Sequence, residues 1–198
     1  ETTVVIDADH GEEFLEHGRS WHGHSVYGEM VNVPMFVHWP GVVPSRVIER
    51  STQSIDLMPT LLELAQLQAP EQVQGRSLVP LMVPSDRPQD YGWSERPVFT
   101  ERVDPPSEST EGSADSFSVI DGEWKLIWNV VVRDERPEME LFAHKTDPLN
   151  LENVAEANPE VVARLRGLLE NWRAMAEAAK VSDEGLAVTL SFNDVREL

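Results

Sequence analysis

Thr2-Thr3-Val4-Val5-Ile6-Asp7-Ala8-Asp9-His10-Gly11 is the stretch on which the fold turns. Its first half is a β-branched run without polar alternation, the pattern of a strand buried on both faces of an α/β sheet. Its second half is a polar cluster at the strand's C-terminal end, the edge of an open α/β sheet where ligands bind. A carboxylate and an imidazole at Asp9 and His10 can both reach a cation above that edge. Gly11 leaves the backbone free to bend beneath it. An Asp-His-Gly triplet alone is more often an ordinary polar turn.

The neighbourhood adds weight. His10, His17, His22 and His24 lie within fifteen residues, interleaved with Glu12, Glu13 and Glu16. Such clustering favours metal or anion chemistry, though a solvated loop with coincidental histidines is an equal reading on composition. Downstream, residues 33–39 read as a second strand closed by the Pro40-Gly41 turn. Asp56 caps a short helix with Pro59 in its first turn and Leu57, Leu61, Leu64 and Ala65 on one face.

After Leu81 the style changes. Residues 84–97 and 104–115 are Pro-, Asp- and Ser-rich and read as exposed loops flanking a short strand at 98–100. Residues 117–120 and 124–129 form a hairpin about Asp121-Gly122, and a further strand is expected at 139–142. These short strands predict a small antiparallel sheet. Asn158 caps the clearest helix, with Pro159 at N1 and Glu160 facing the positive dipole end. Val161, Leu165, Leu168, Trp172, Met175 and Ala179 form its apolar stripe, about 33 Å long to Lys180 at roughly 1.5 Å per residue. Gly167 within it implies close packing, and Trp124, Trp128 and Trp172 read as core residues. The expected division is 1–83, part of an α/β domain; 84–180, an antiparallel sheet with its helix; and 181–198, a tail.

Composition excludes some partners. The 198 residues carry 16 Lys plus Arg against 35 Asp plus Glu, a net charge of −19, and 40% apolar residues. A sizeable core is therefore possible, while nucleic acid and anionic membrane surfaces are repelled. An anionic substrate would need local positive charge, such as a metal. There is no cysteine, so disulfides and thiolate sites are ruled out. No apolar run approaches the ~18 residues of a membrane span. Glu1-Thr2-Thr3 resembles neither a signal peptide nor a natural start, so the chain is expected to be a fragment.

Asp9-His10-Gly11-Glu12, Glu16-His17-Gly18, His22-Gly23, Tyr27-Gly28-Glu29, Val33-Pro34-Met35 and Trp39-Pro40-Gly41 follow the order and spacing of sulfatases. The residues 55–62, 75–81, Lys125-Leu126-Ile127, Glu140-Leu141-Phe142, Asp147-Pro148 and Glu152-Asn153-Val154 continue the likeness. The chain thus resembles the C-terminal portion of a sulfatase of the alkaline-phosphatase-like superfamily. That resemblance implies an α/β fold and a divalent metal held by Asp9 and His10 with aspartates from earlier in the parent protein. Calcium is the metal implied first. An imidazole at position 10, where many sulfatases carry asparagine, points toward manganese or zinc and toward phosphate or phosphonate esters.

The same resemblance implies catalytic histidines in the region of His22 and His24. His22 is preferred, because His22-Gly23 stands at the usual distance before Tyr27. The nucleophile would be a formylglycine in the missing N-terminal half, which is also the implied partner, and the substrate a sulfate ester. A periplasmic or secreted location would fit the family. Three functions remain open: a sulfatase fragment inactive on its own, a phosphate or phosphonate ester hydrolase, and a non-catalytic binding fragment.

Overall fold

The computed structural model describes residues 2–82, 93–103, 115–130 and 136–179. Most of the two acidic loops and the tail lie outside these residues. Eight strands and four α-helices are present among the described residues: β1 Val4–Asp7, β2 Glu13–Phe14, β3 Ser20–Trp21, α1 Gly28–Val31, β4 Met35–His38, α2 Leu57–Leu64, α3 Val79–Met82, β5 Val98–Arg102, β6 Ser116–Asp121, β7 Trp124–Asn129, β8 Met139–Phe142 and α4 Pro159–Ala178.

The largest sheet runs β5-β6-β7-β8, antiparallel throughout. Side chains alternate across it. Phe117, Val119, Leu126 and Leu141 face α4 and meet Leu165 and Leu169. Ile127 and Phe142 face the opposite way, onto Val26 and Tyr27. Both faces are covered, which is why β6 and β7 are buried nearly end to end rather than on alternate residues. Truncating Leu165 or Leu169 to Ala would cost about 2–5 kcal/mol.

The predicted hairpin forms, one residue out of place. Asp121 pairs with Trp124, so the two-residue loop is Gly122-Glu123, and only Gly122 has positive φ, +63°. Glycine at the first loop position satisfies the turn. On α4, Pro159 occupies the first turn, but the Asn158 side chain makes no cap; its amide donates to the Val154 carbonyl instead. Met175, expected in the apolar stripe, is exposed, and Leu169 replaces it in the core. A Cβ on Gly167 would meet open space, so the packing expected there is not found.

β1 departs most from expectation. It pairs antiparallel with β4, with Ile6 opposite Phe36, and no further strand joins them among the described residues. Met35 and Val37 pack toward Leu78, Leu81, Met82 and Trp93. The other face is open: Ile6 is 59% and Phe36 61% exposed. The unalternating apolar run is suited to two-sided burial, yet the described chain supplies only one covering layer.

α2 forms as expected, but Pro59 and Thr60 are its buried residues, while Leu61 is exposed. Asp56 does not cap it. The buried carboxylate accepts from the Gln53 and Arg76 amides, at 3.0 and 2.8 Å, and pairs with Arg96. Asp56 thus ties three separated segments together. No helix among the described residues is long and apolar enough to cross a membrane.

Candidate metal and ester site

β1 delivers its terminal carboxylates to a loop that is pinned from behind. The Gly11 amide donates to the Met30 carbonyl at 2.8 Å. A Cβ at Gly11 would overlap the Glu29 carbonyl oxygen. Gly11 is therefore required for close approach to α1; its φ is not positive, so a left-handed bend is not the reason.

Asp9 and His10 face one another at the surface, with side chains 90% and 44% exposed. His10 Nδ1 lies 2.8 Å from the Gly11 carbonyl oxygen. A carbonyl can only accept, so Nδ1 carries a proton and Nε2 is the ring nitrogen left to meet a metal. Nε2 stands 3.8 Å from Asp9 Oδ2. That separation suits two donors on one cation at bond lengths of about 2.0–2.5 Å. A ligating imidazole whose other nitrogen donates to a carbonyl is also the usual outer arrangement of a metal-bound histidine. The residues present fit a divalent metal.

Two residues earlier, Asp7 Oδ1 is buried without a hydrogen-bond partner among the described residues. A buried unpaired carboxylate oxygen calls for a reason. The sequence held a hint of it, since Asp7 ends an apolar strand, but nothing there separated it from its neighbours.

His22 joins this group. Its ring stacks on that of His10, centroids 4.3 Å apart and planes 27° from parallel. Its Nδ1 lies 3.1 Å from Glu12 Oε2, and the side chain is 48% exposed. Asp9, His10, His22 and Glu12 therefore share one accessible corner, with Glu12 the member not singled out from the sequence.

His24 has different ties. Its Nε2 sits 2.6 Å from Oε2 of Glu13, a fully buried residue. The other Glu13 oxygen accepts from the His17 and Arg19 amides, at 3.1 and 2.7 Å. Burial by itself would raise the Glu13 carboxyl, but the bonds from His24, Arg19 and His17 outweigh it and hold the group below the ordinary carboxylate value. Glu13 is a hub that fixes the hairpin of β2 and β3.

Glu13, His17 and Glu29 also place possible ligand atoms within 4.8 Å of one another. The protons there already have owners. His17 Nδ1 is 2.8 Å from Glu29 Oε1 and Nε2 is 2.9 Å from the Asn150 carbonyl oxygen. The ring lies flat on Tyr27, centroids 3.7 Å apart. A charged pair bridging α1 and the loop after β8 accounts for the cluster without a metal.

The sheet β5–β8 with α4 packed on it, together with the strands and helices before it, has the alkaline-phosphatase-like fold of sulfatases. The chain belongs to the family described as N-sulphoglucosamine sulphohydrolase, C-terminal, whose profile matches residues 16–175. It is 30% identical over 182 residues to arylsulfatase K of Xenopus laevis, an alignment covering 91% of this chain and 32% of the relative. The phosphonate monoester hydrolase from Silicibacter pomeroyi superimposes with a TM-score of 0.65 at 30% identity, over 87% of this chain and 35% of that one. A Bacteroides thetaiotaomicron structure described among the sulfatases gives a TM-score of 0.70 at 27% identity, over 97% of this chain and 39% of that one. The chain thus spans about a third of the length of the curated relative.

Proposed function

We propose that this chain supplies half of the active site of a metal-dependent sulfate ester hydrolase, with Asp9 and His10 as metal ligands and His22 as the acid at the leaving group. The reading is carried by the convergence of His10 Nε2, a facing Asp9 carboxylate and the His22 ring stacked alongside. Membership of a sulphohydrolase family supports the reaction class.

A divalent cation bound by Asp9 and His10 would withdraw charge from the non-bridging oxygens of the ester. Glu12 holds Nδ1 of His22, which leaves Nε2 as the nitrogen that meets substrate. As the S–O bond to the leaving group breaks, the departing oxygen takes the proton from His22 Nε2, and the Glu12 carboxylate steadies the imidazolium before transfer. The nucleophile, a formylglycine by family resemblance, belongs to a part of the parent protein outside this chain. On that reading the chain by itself is inactive.

A second reading is hydrolysis of phosphate or phosphonate esters. An imidazole rather than an amide at position 10 favours it, as does the 30% identity to a phosphonate monoester hydrolase.

Metal analysis of the full-length protein tests the core of the proposal. Asp9→Ala and His10→Ala are each expected to lose bound metal and hydrolysis together. Unchanged metal content in both variants would remove them as ligands. Comparing an aryl sulfate with an aryl phosphonate on the same preparation decides between the two reactions.

A further inference from the structure

The segment that presents His22 is held from below by two basic side chains that have no part in the chemistry above. His17 is one. Its Nε2 faces a carbonyl oxygen, Asn150 O at 2.9 Å, and its Nδ1 faces the Glu29 carboxylate at 2.8 Å. Neither partner has a proton to give, so both ring nitrogens must carry one. His17 is an imidazolium.

Lys125 on β7 is the other, and it is fully buried. Its Nζ donates to the Val26 carbonyl at 2.7 Å and to Asn150 Oδ1 at 2.8 Å. Asn150 therefore takes His17 on its backbone and Lys125 on its side chain. Val26 stands four residues after His22 and directly precedes Tyr27, whose hydroxyl donates to Glu140 of β8 at 2.9 Å. Three of these bonds, His17 to Asn150, Lys125 to Val26 and Tyr27 to Glu140, join residues 17–27 to the C-terminal sheet or to the loop that follows it; His17 to Glu29 ties the hairpin to α1, and Lys125 to Asn150 ties that loop to the sheet.

We propose that Lys125, Asn150 and His17 are positioning residues for the candidate site, setting the register of residues 13–26 on the C-terminal sheet and so the place of His22 over His10. Apolar packing alone gives a weaker constraint, because Val26 and Tyr27 on Ile127 and Phe142 could slide, whereas buried donors left without acceptors could not. Two structural units are thereby coupled. A change in the sheet would be felt at the ester, although no sheet residue needs to touch it. For its catalytic readout the proposal rests on the hydrolase reading.

The groups facing the two basic side chains are Glu29 and Glu13 around His17, and Glu29, Glu140, Asp147 and His144 around Lys125. Burial drives the Lys125 ammonium down to about 7, against the pull of Glu29, Glu140 and Asp147. A neutral amine still has two protons for its two acceptors, so the register survives its deprotonation.

The test uses the full-length protein and two variants. Lys125→Met removes both donations. Asn150→Gly removes the Oδ1 acceptor together with the Nδ2 donation to the Asp147 carbonyl inside its own loop, while glycine suits the φ of +62° there and keeps the backbone carbonyl for His17. Hydrogen exchange by mass spectrometry is read separately for peptides spanning 13–26 and for β6 and β7. The expected result is faster exchange, roughly tenfold, confined to 13–26. It is accompanied by a fall in kcat of about 10- to 100-fold with KM changed much less. Unchanged exchange in 13–26 overturns the proposal, as does equal loosening of the sheet, or loosening of 13–26 with kcat intact. If Lys125→Met fails to fold, Asn150→Gly decides alone. If the wild type hydrolyses neither ester, the hydrolase reading fails while the exchange result still decides whether the register is set from the sheet.

Discussion

The imidazole of His22 lies stacked on the imidazole of His10, twelve positions earlier in the chain. The centroid distance of 4.3 Å places a half-exposed histidine beside the residue best suited to hold a metal. His24, two residues further, is turned into Glu13 instead. The two histidines, told apart in the sequence by their spacing before Tyr27, also have different carboxylate partners, Glu12 and Glu13.

That separation predicts unequal consequences in the full-length enzyme. His22→Ala should lower kcat by about 10²- to 10⁴-fold on esters of poor leaving groups and far less on nitrophenyl esters, which need no proton. His24→Ala should show no such dependence on the leaving group. Equal sensitivity of both variants to leaving-group acidity would assign the acid role wrongly.

His17 predicts a pH dependence of stability. Burial would lower its basicity, but the bonds to Glu29 and Asn150 and the charges of Glu29 and Glu13 hold it above its ordinary value of 6.5. A base raised on folding stabilises fully below its unfolded value, and that contribution is lost as pH rises through the higher folded value. The stability difference between wild type and His17→Gln should therefore be largest and flat below about pH 6 and shrink in alkali. Denaturant melts at several pH values measure it; a difference that grows with pH would contradict a protonated His17.

Two glycines predict opposite outcomes for the same substitution. Gly167→Ala adds a methyl to open space in the middle of α4 and should stabilise by up to about 1 kcal/mol. Gly11→Ala drives a methyl into the Glu29 carbonyl and should destabilise while displacing the Asp9 and His10 loop. Thermal melts of both variants, with metal content for the second, check this pair.

The open face of β1 and β4 predicts how this chain behaves by itself. Ile6 and Phe36 sit opposite each other across an exposed ribbon that no further strand joins among the described residues, an arrangement prone to association. Sedimentation should find oligomers or aggregate, relieved by the double variant Ile6→Lys with Phe36→Lys. A monodisperse wild-type monomer that melts cooperatively would show that the face needs no cover.

The strands and helices were largely legible in the residues. The β-branched run of β1, the glycine turn between β6 and β7, Pro159 opening α4 and the spacing of Leu165 and Leu168 all report local preferences, which depend on neighbours in the chain. So does the adjacency of Asp9 and His10, since consecutive residues at a strand end are near one another in almost any fold. What the sequence could not decide was every relationship across long separations. Asp56 reads as a cap and is a buried tie to Arg76 and Arg96; Asn158 reads as a cap and bonds backward to Val154. Lys125 is marked in the sequence only as part of a strand and is sequestered, because Tyr27 and Val26 cover the face it occupies. A local pattern reports what a residue prefers, whereas desolvation and hydrogen-bond partners come from whatever the rest of the chain brings against it, and only the tertiary structure supplies that.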